Sequence, residues 1–432
     1  MRWARLESDS ILTREDVRAW RGLLASPASS AEQWRAGNRR LWAERIQPLE
    51  QWMAGARRLV VIPSGAMVGI PLEDLEDAQG RCLNDVYEIS YTPSATLYAW
   101  LKEQPPALGT EAEPIGRGAA LLVGDPVFRA AATAPEGNRP SPAGRKSEPS
   151  PPSRESEPSP PPRKAEPYPA TSIQRGVALT RSWDQDDQRT GDLRQLPWTR
   201  AEVEGVARLW PEASVLLGPE ASEQALVAMA RAGRLSHFRV LHFATHALVD
   251  DDRPEASALV LSSVDLSQAN STATDVTATD VTATNATTTD STAVEASPCD
   301  GLVTAQEILR EWKLRADLVT LSACASGLGR EVLGEGYVGF AHAFLQVGAR
   351  CLLVSLWPVD DQSTALLMRR FYENWIGAPG AEDANRNSSG MSKAAALREA
   401  KAWLRRYAGP SGVRRYTHPY YWAGFILLGD AD

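Results

Sequence analysis

The chain has 432 residues, 43% of them hydrophobic, and a formal charge of −8, enough for two or three average domains or for one large domain with insertions. Its mild acidity argues against nucleic acid as a direct partner, because phosphate binding needs clustered Lys and Arg. The opening MRWARLESDS lacks the apolar stretch of a secretory signal, and no apolar run approaches the roughly 20 residues that span a bilayer, so a cytoplasmic protein with no membrane partner is expected.

Along 14–57, Trp34, Leu41, Trp42, Ile46, Leu49 and Trp52 recur at helical spacing. RRLVVIP (57–63) reads as a buried strand ended by Pro63, Ser64 and Gly65, and VYEISYTP (86–93) as a second strand before a helix near 94–102. GAALLVGDP (118–126) is an apolar strand running into a Gly-Asp-Pro turn. After it the composition changes. Residues 129–193 are dominated by Pro, Ser, Ala, Glu and Arg, which cannot bury enough apolar surface to offset their ordering entropy, and they read as a disordered insertion.

Regular patterning resumes at 194, with helices at 199–210 and 221–232 around a strand near 213–217. FRVLHF (238–243) and ALVLSS (258–263) are the next strands. A Thr-Ala-Thr-Asp tract at about 264–298 is a second low-complexity insertion. A helix at 304–312, strand DLVTLS (317–322), a helix at 335–347, strand RCLLVSLW (350–357), helices at 361–375 and 392–406 and strand AGFILLG (423–429) complete the pattern. Nearly all-apolar strands separated by helices imply an α/β domain with a mostly parallel sheet covered on both faces. The expected organisation is a helical segment, 1–57, packed on one domain, 58–432, that carries both insertions.

Two strands run into reactive residues. In VLHFATHA (240–247), His246 lies three residues beyond the strand; in LVTLSACASG (318–327), Cys324 lies two beyond. Ligands of open α/β sheets bind outside the carboxyl ends of the strands, so parallel neighbours would present both residues at one edge. A thiol that attacks a carbonyl needs such a partner to manage protons. Either residue alone would more simply be structural; the pairing points to chemistry. Small residues follow the thiol (Ala325, Ser326, Gly327), and the backbone N–H groups of Cys324 and Ala247 could stabilise an oxyanion. No third carboxylate is evident from spacing, which leaves a dyad. The other cysteines, Cys82, Cys299 and Cys351, are widely spaced without a CxxC, so neither a disulfide framework nor a metal site is expected, and nothing calls for a cofactor.

The blocks RLVVIPSGAMVGIPLEDL (58–75), YEISYTPSATL (87–97), HFATHA (242–247), DLVTLSACASGLG (317–329), GEGYVGFAHAFLQVGARCLLVSLWPVDD (334–361) and HPYYWAGFILLGD (418–430) resemble consecutive segments of the CHAT family, relatives of caspases and separases. The resemblance spans about 40–430 apart from the insertions. It implies a caspase-like three-layer α/β/α sandwich and a cysteine endopeptidase with His246 and Cys324 as its dyad. Caspases carry the His about 50 residues before the Cys; here the separation is 78, or 43 once the 35-residue second insertion is set aside. The family often has Gly after the His, whereas Ala247 keeps the N–H and leaves less room.

SLWPVDD (355–361) resembles the segment of separases whose aspartate helps hold an Arg before the cut. By that likeness Asp361 lines the first pocket, with Trp357 as a wall and Asp360 nearby, although Asp361 also fits a helix cap. Asp125, after the third strand, is a further pocket candidate or simply a turn residue. The expected partners are a protein or peptide substrate, cut after a basic residue, and a separate sensor or activator protein, since the chain carries no recognisable repeat of its own. A non-catalytic interaction or scaffold domain of the same fold is the alternative; another thiol-dependent acyl transfer is a third. Two patterns are set aside. The GxGxxG of Gly334, Gly336 and Gly339 does not directly follow a strand, so its glycines are expected to serve helix packing. His342 is remote from both reactive strand ends.

Overall fold

The structure is a computed structural model that describes residues 14–104, 119–128, 193, 195–250, 253–262, 299–323, 329–332, 336–377 and 390–432. The chain divides into two units, Met1–Phe128 with Arg194–Asp432, and Arg129–Leu193. The second unit, Leu193 apart, and the tract at 264–298 lie outside the described residues.

The strands are β1 (Arg58–Val61), β2 (Glu88–Tyr91), β3 (Ala119–Pro126), β4 (Ser214–Gly218), β5 (Phe238–Ala244), β6 (His246–Leu248), β7 (Ala258–Val260), β8 (Leu302–Thr304), β9 (Leu318–Ser322), β10 (Gly329–Val332), β11 (Gly336–Gly339), β12 (Cys351–Ser355) and β13 (Phe425–Gly429). Eight of them form one sheet in the order β1-β2-β13-β12-β9-β5-β3-β4. Its pairings are parallel except that of β12 with β13. Every residue of β2, β9, β12 and β13 is buried, as a sheet covered on both faces requires.

Alternation along β5 shows what covers each face. His242 meets Tyr372 of the helix Asp361–Ile376 and Glu202 of the helix Thr199–Ala207. The next residue, Phe243, meets Trp312 and Phe344 on the other side, at the end of Ala305–Glu311 and within Phe340–Gln346. The architecture is therefore the three-layer α/β/α sandwich expected from the sequence. The helices begin where side chains can serve the orphan N–H groups of the first turn. Ser94, Ser222, Asp360 and Ser392 each accept an N–H three residues on. Ser30 with Gln33 and Thr304 with Glu307 form reciprocal capping boxes. No described helix is long and apolar enough to cross a membrane.

Three expectations change. β1 is an edge strand and not a buried one: Val60 and Ile62 are 41% and 48% exposed, because a short apolar run does not distinguish a central strand from an edge. The segment at 258–263 contributes β7 to a separate antiparallel sheet, β6-β7-β8. Among the described residues between β6 and β7 only the single 3-10 turn Pro254–Ala256 is helical, and a connection that short suits antiparallel pairing. Gly336 and Gly339 lie in β11, paired with β10, ahead of the helix whose packing they were expected to serve.

The N-terminal helices Arg14–Leu24 and Ala31–Leu41 deliver Trp20, Trp34 and Leu41 to the core. Trp20 Nε1 donates to Asn38 Oδ1 at 2.9 Å, and Asn38 Nδ2 donates to Asp74 Oδ2 at 2.8 Å. Burial holds the Asp74 carboxyl well above the usual carboxylate range. Beside it, Lys401 Nζ donates to Glu73 Oε1 at 2.9 Å, and Tyr91 Oη donates to Glu73 Oε2 at 2.6 Å. Lys401 and Glu73 are both buried, and burial lowers the Lys401 pKa against the pull of Glu73. Removing one partner of such a pair strands the other charge. Lys401→Ala is therefore expected to cost roughly 3–5 kcal/mol in urea denaturation. Lys401→Met with Glu73→Gln should recover most of that loss.

Candidate active site

β5 and β9 are adjacent and parallel, and their register runs from Val240↔Leu318 to Ala244↔Ser322. His246 follows Ala244 by two residues and Cys324 follows Ser322 by two. Cys324 itself lies outside the described residues, as do residues 325–328. β3 flanks the pair on one side through Gly124↔Ala244, and β12 on the other through Val354↔Leu321. The condition set by the sequence, that the two reactive strands be parallel neighbours, is met.

His246 opens β6 and pairs with Val260, while Ala247 is the middle residue of the strand, opposite Leu259. The fully buried Thr245 donates its hydroxyl to the Val260 carbonyl. The Phe128 ring lies against His246, with centroids 5.0 Å apart and planes inclined at 49°. Further along the hairpin, Leu261 N–H donates to Gly301 O at 2.7 Å, and Gly301 N–H donates to Glu223 Oε2 at 2.8 Å. Glu223 is buried. Burial raises its carboxyl to about 7, helped by the negative charges of Asp300 and Glu307 and opposed by the Gly301 N–H.

The acidic residues proposed for a substrate pocket all have partners within the chain. Asp125 turns the backbone beyond β3 with φ +50°, a conformation Asp tolerates better than most residues. Its carboxylate accepts from Arg200 Nη2 at 2.7 Å and from Gln195 Nε2 at 3.0 Å. Asp360, and not Asp361, caps the helix Asp361–Ile376, accepting Ser363 N–H at 2.8 Å. Asp361 Oδ2 accepts the Trp198 N–H at 3.1 Å. Trp357 is buried, donates Nε1 to Tyr420 O at 3.1 Å, and packs so closely on Gly424 that a Cβ there would lie 2.9 Å from its Nε1. His342 lies 2.9 Å from Gln346 Nε2 on its own helix.

The remaining thiols are poor nucleophiles. Cys82 and Cys351 are buried and pushed up to about 12, mainly by that burial, and Cys299 is raised by burial and by Glu223. Since the thiolate is the reactive form, none of these three is favoured as a nucleophile. The sequence analysis missed Phe128 and the hairpin β6-β7-β8. Phe128 follows the Gly-Asp-Pro turn, and its bearing on His246 depends on β3 lying beside β5, which no local pattern encodes.

The fold and the site's edge define a parallel α/β sandwich that presents a His strand and a Cys strand together. The family model described as the CHAT domain matches residues 35–430, and the chain belongs to the CHAT family. Among curated proteins it is similar to tetratricopeptide repeat protein 28 of Mus musculus, 32% identical over 128 residues, and to that of Homo sapiens, 30% identical over 128 residues. The aligned stretch is 30% of this chain but only 4% of either relative. Among solved structures it is similar to the Saccharomyces cerevisiae separase–securin complex (TM-score 0.40, 11% identity, 98% of this chain and 20% of that chain). It is similar also to the Arg-specific cysteine proteinase gingipain R (TM-score 0.39, 8% identity, 94% of this chain and 69% of that chain).

Two measurements test the site's chemistry. Iodoacetamide at pH 7.5 is expected to label Cys324 first, and Cys82 and Cys351 only once the protein is unfolded; mass spectrometry of tryptic peptides reads the order. Glu223 stays protonated in the fold above its ordinary pKa of 4.5, so the folded state binds the extra proton and stability falls as pH rises from about 4.5 through about 7. Glu223→Gln removes that penalty. The variant should match wild type at pH 5 and exceed it by on the order of 2 kcal/mol at pH 8, read by chemical denaturation at the two pH values.

Proposed function

We propose that the chain is a cysteine endopeptidase in which His246 and Cys324 act as a dyad. The observation that carries this is the parallel register Ala244↔Ser322, which starts both residues from matched points at the carboxyl edge of the sheet. His246 takes the thiol proton of Cys324, and the thiolate attacks the scissile carbonyl carbon. The N–H groups of Cys324 and Ala247 hold the resulting oxyanion. The imidazolium then passes its proton to the departing amine, leaving a thioester on Cys324. Water, deprotonated by His246, cleaves that thioester and returns the thiol.

The same edge supports a preference for a basic residue before the cut. Asp125 already holds Arg200, so a substrate cation there would have to displace it. Asp360 has no such cation among its described contacts, and its charge contributes, after burial, to raising the pKa values of Tyr416 and Tyr421. A guanidinium meeting Asp360, with Asp361 beside it and these rings near, would gain charge-assisted hydrogen bonds and aromatic contact. The activating signal comes from a separate protein. The curated relatives are named for tetratricopeptide repeats.

Cys324→Ala and His246→Ala are each expected to abolish peptide cleavage while keeping the wild-type melting temperature. Full activity in Cys324→Ala would move the nucleophile elsewhere. In a peptide library, wild type should favour Arg or Lys before the cut, and Asp360→Ala should lose that preference by tenfold or more, on the order of one strong charged hydrogen bond. An unchanged aliphatic or acidic preference would remove the pocket assignment and leave the dyad standing.

A further inference from the structure

β3 and β4 end beside the hairpin that carries His246, and one side chain ties the three together. Ser262 is 2% exposed and stands two residues after Val260, the partner of His246. Its Oγ accepts the Val127 N–H at 2.8 Å and donates to Gly218 O at 2.8 Å, and its own N–H donates to Ala221 O at 2.8 Å. A hydroxyl has one proton to give and lone pairs to accept with, so Ser262 serves both loops at once. Val127 is thereby held just beyond the turn at Asp125, and the next residue, Phe128, sets its ring on the imidazole at 5.0 Å.

We propose that Phe128, fixed through Val127 and Ser262, is a positioning residue for His246, holding the imidazole in the orientation that proton exchange with Cys324 needs. The proposal rests on the dyad reading above. Phe128 has no group that can exchange a proton, so its contribution is steric. An imidazole on a strand end can turn about two side-chain bonds, and a general base must first meet its proton in the right geometry. A ring packed against one face removes orientations that point away, and a small misplacement of such a group is costly in rate. Val127, by contrast, is 50% exposed and is held by its backbone alone.

The test compares full-length wild type, Phe128→Leu, Phe128→Tyr, Ser262→Ala and His246→Ala, each checked for an unchanged melting curve. Three quantities are read: kcat and KM for a peptide substrate, the pH profile of Cys324 alkylation, and the His246 Cε1–H resonance. Phe128→Leu should lower kcat about tenfold at unchanged KM, move the alkylation profile toward that of His246→Ala, and shift the Cε1–H signal as the neighbouring ring current is lost. Phe128→Tyr should restore all three, and Ser262→Ala should reproduce part of the loss. A raised KM at unchanged kcat would make Phe128 a substrate contact and overturn the proposal. Activity lost in His246→Ala but kept in Phe128→Leu would overturn it while sparing the dyad. An alkylation profile indifferent to His246→Ala would overturn both.

Discussion

Parallel pairing of β5 with β9 makes position along one strand equivalent to position along the other, so residues at equal offsets leave the sheet side by side. The register puts Ala244 opposite Ser322, the last described pair before His246 on one strand. The register is held from beneath. His242 and Thr320 are partners in it, and both meet the buried Tyr372 hydroxyl, at 3.2 Å and 2.7 Å. His242 Nε2 also lies 2.9 Å from the buried Glu202 Oε1. A one-residue slip would carry His242 to the opposite face, where Phe243 now packs on Trp312 and Phe344. Polar groups on one face and aromatic rings on the other thus make the register an all-or-none choice.

Much of this was legible in the sequence because it is written locally. Apolar runs marked β3, β5, β9 and β12, since a strand covered on both faces has few polar residues to confuse the pattern. The helices read near 94–102, 221–232 and 304–312 begin in the fold at Ala95, Glu223 and Ala305. The adjacency of the His and Cys strands required a topological assumption, which the fold supplies. What stayed hidden was non-local. Nothing in RRLVVIP tells that β1 lies at the sheet's edge, and nothing in the Ser262 region tells that its hydroxyl joins the ends of β3 and β4. The run at 258–263 supplies a strand only over Ala258–Val260, and it was placed in the wrong sheet, because apolarity reports burial and not partnership.

The carboxylates near the edge show a similar division. Asp125, Asp360 and Asp361 look alike in sequence, as acidic residues after strands. In the fold they do different work: one holds Arg200 and Gln195, one caps a helix, and one receives a backbone N–H from Trp198. The contacts of Asp125 and Asp361 depend on residues 195–200 returning to the edge that the chain left at Phe128. Gln195 Nε2 donates to Pro126 O at 2.9 Å, so departure and return are within one side chain's reach.

That closeness, with the placement of Ser262 just ahead of the second tract and Gly301 just behind it, bears on how such a chain can diverge. Both low-complexity tracts join the sandwich at the carboxyl edge of the sheet, at points already tied by hydrogen bonds. Lengthening a loop whose ends are fixed adds little closure entropy. Changes in the length of either segment are therefore expected to leave these tied ends, and the register of β5 with β9, as they are.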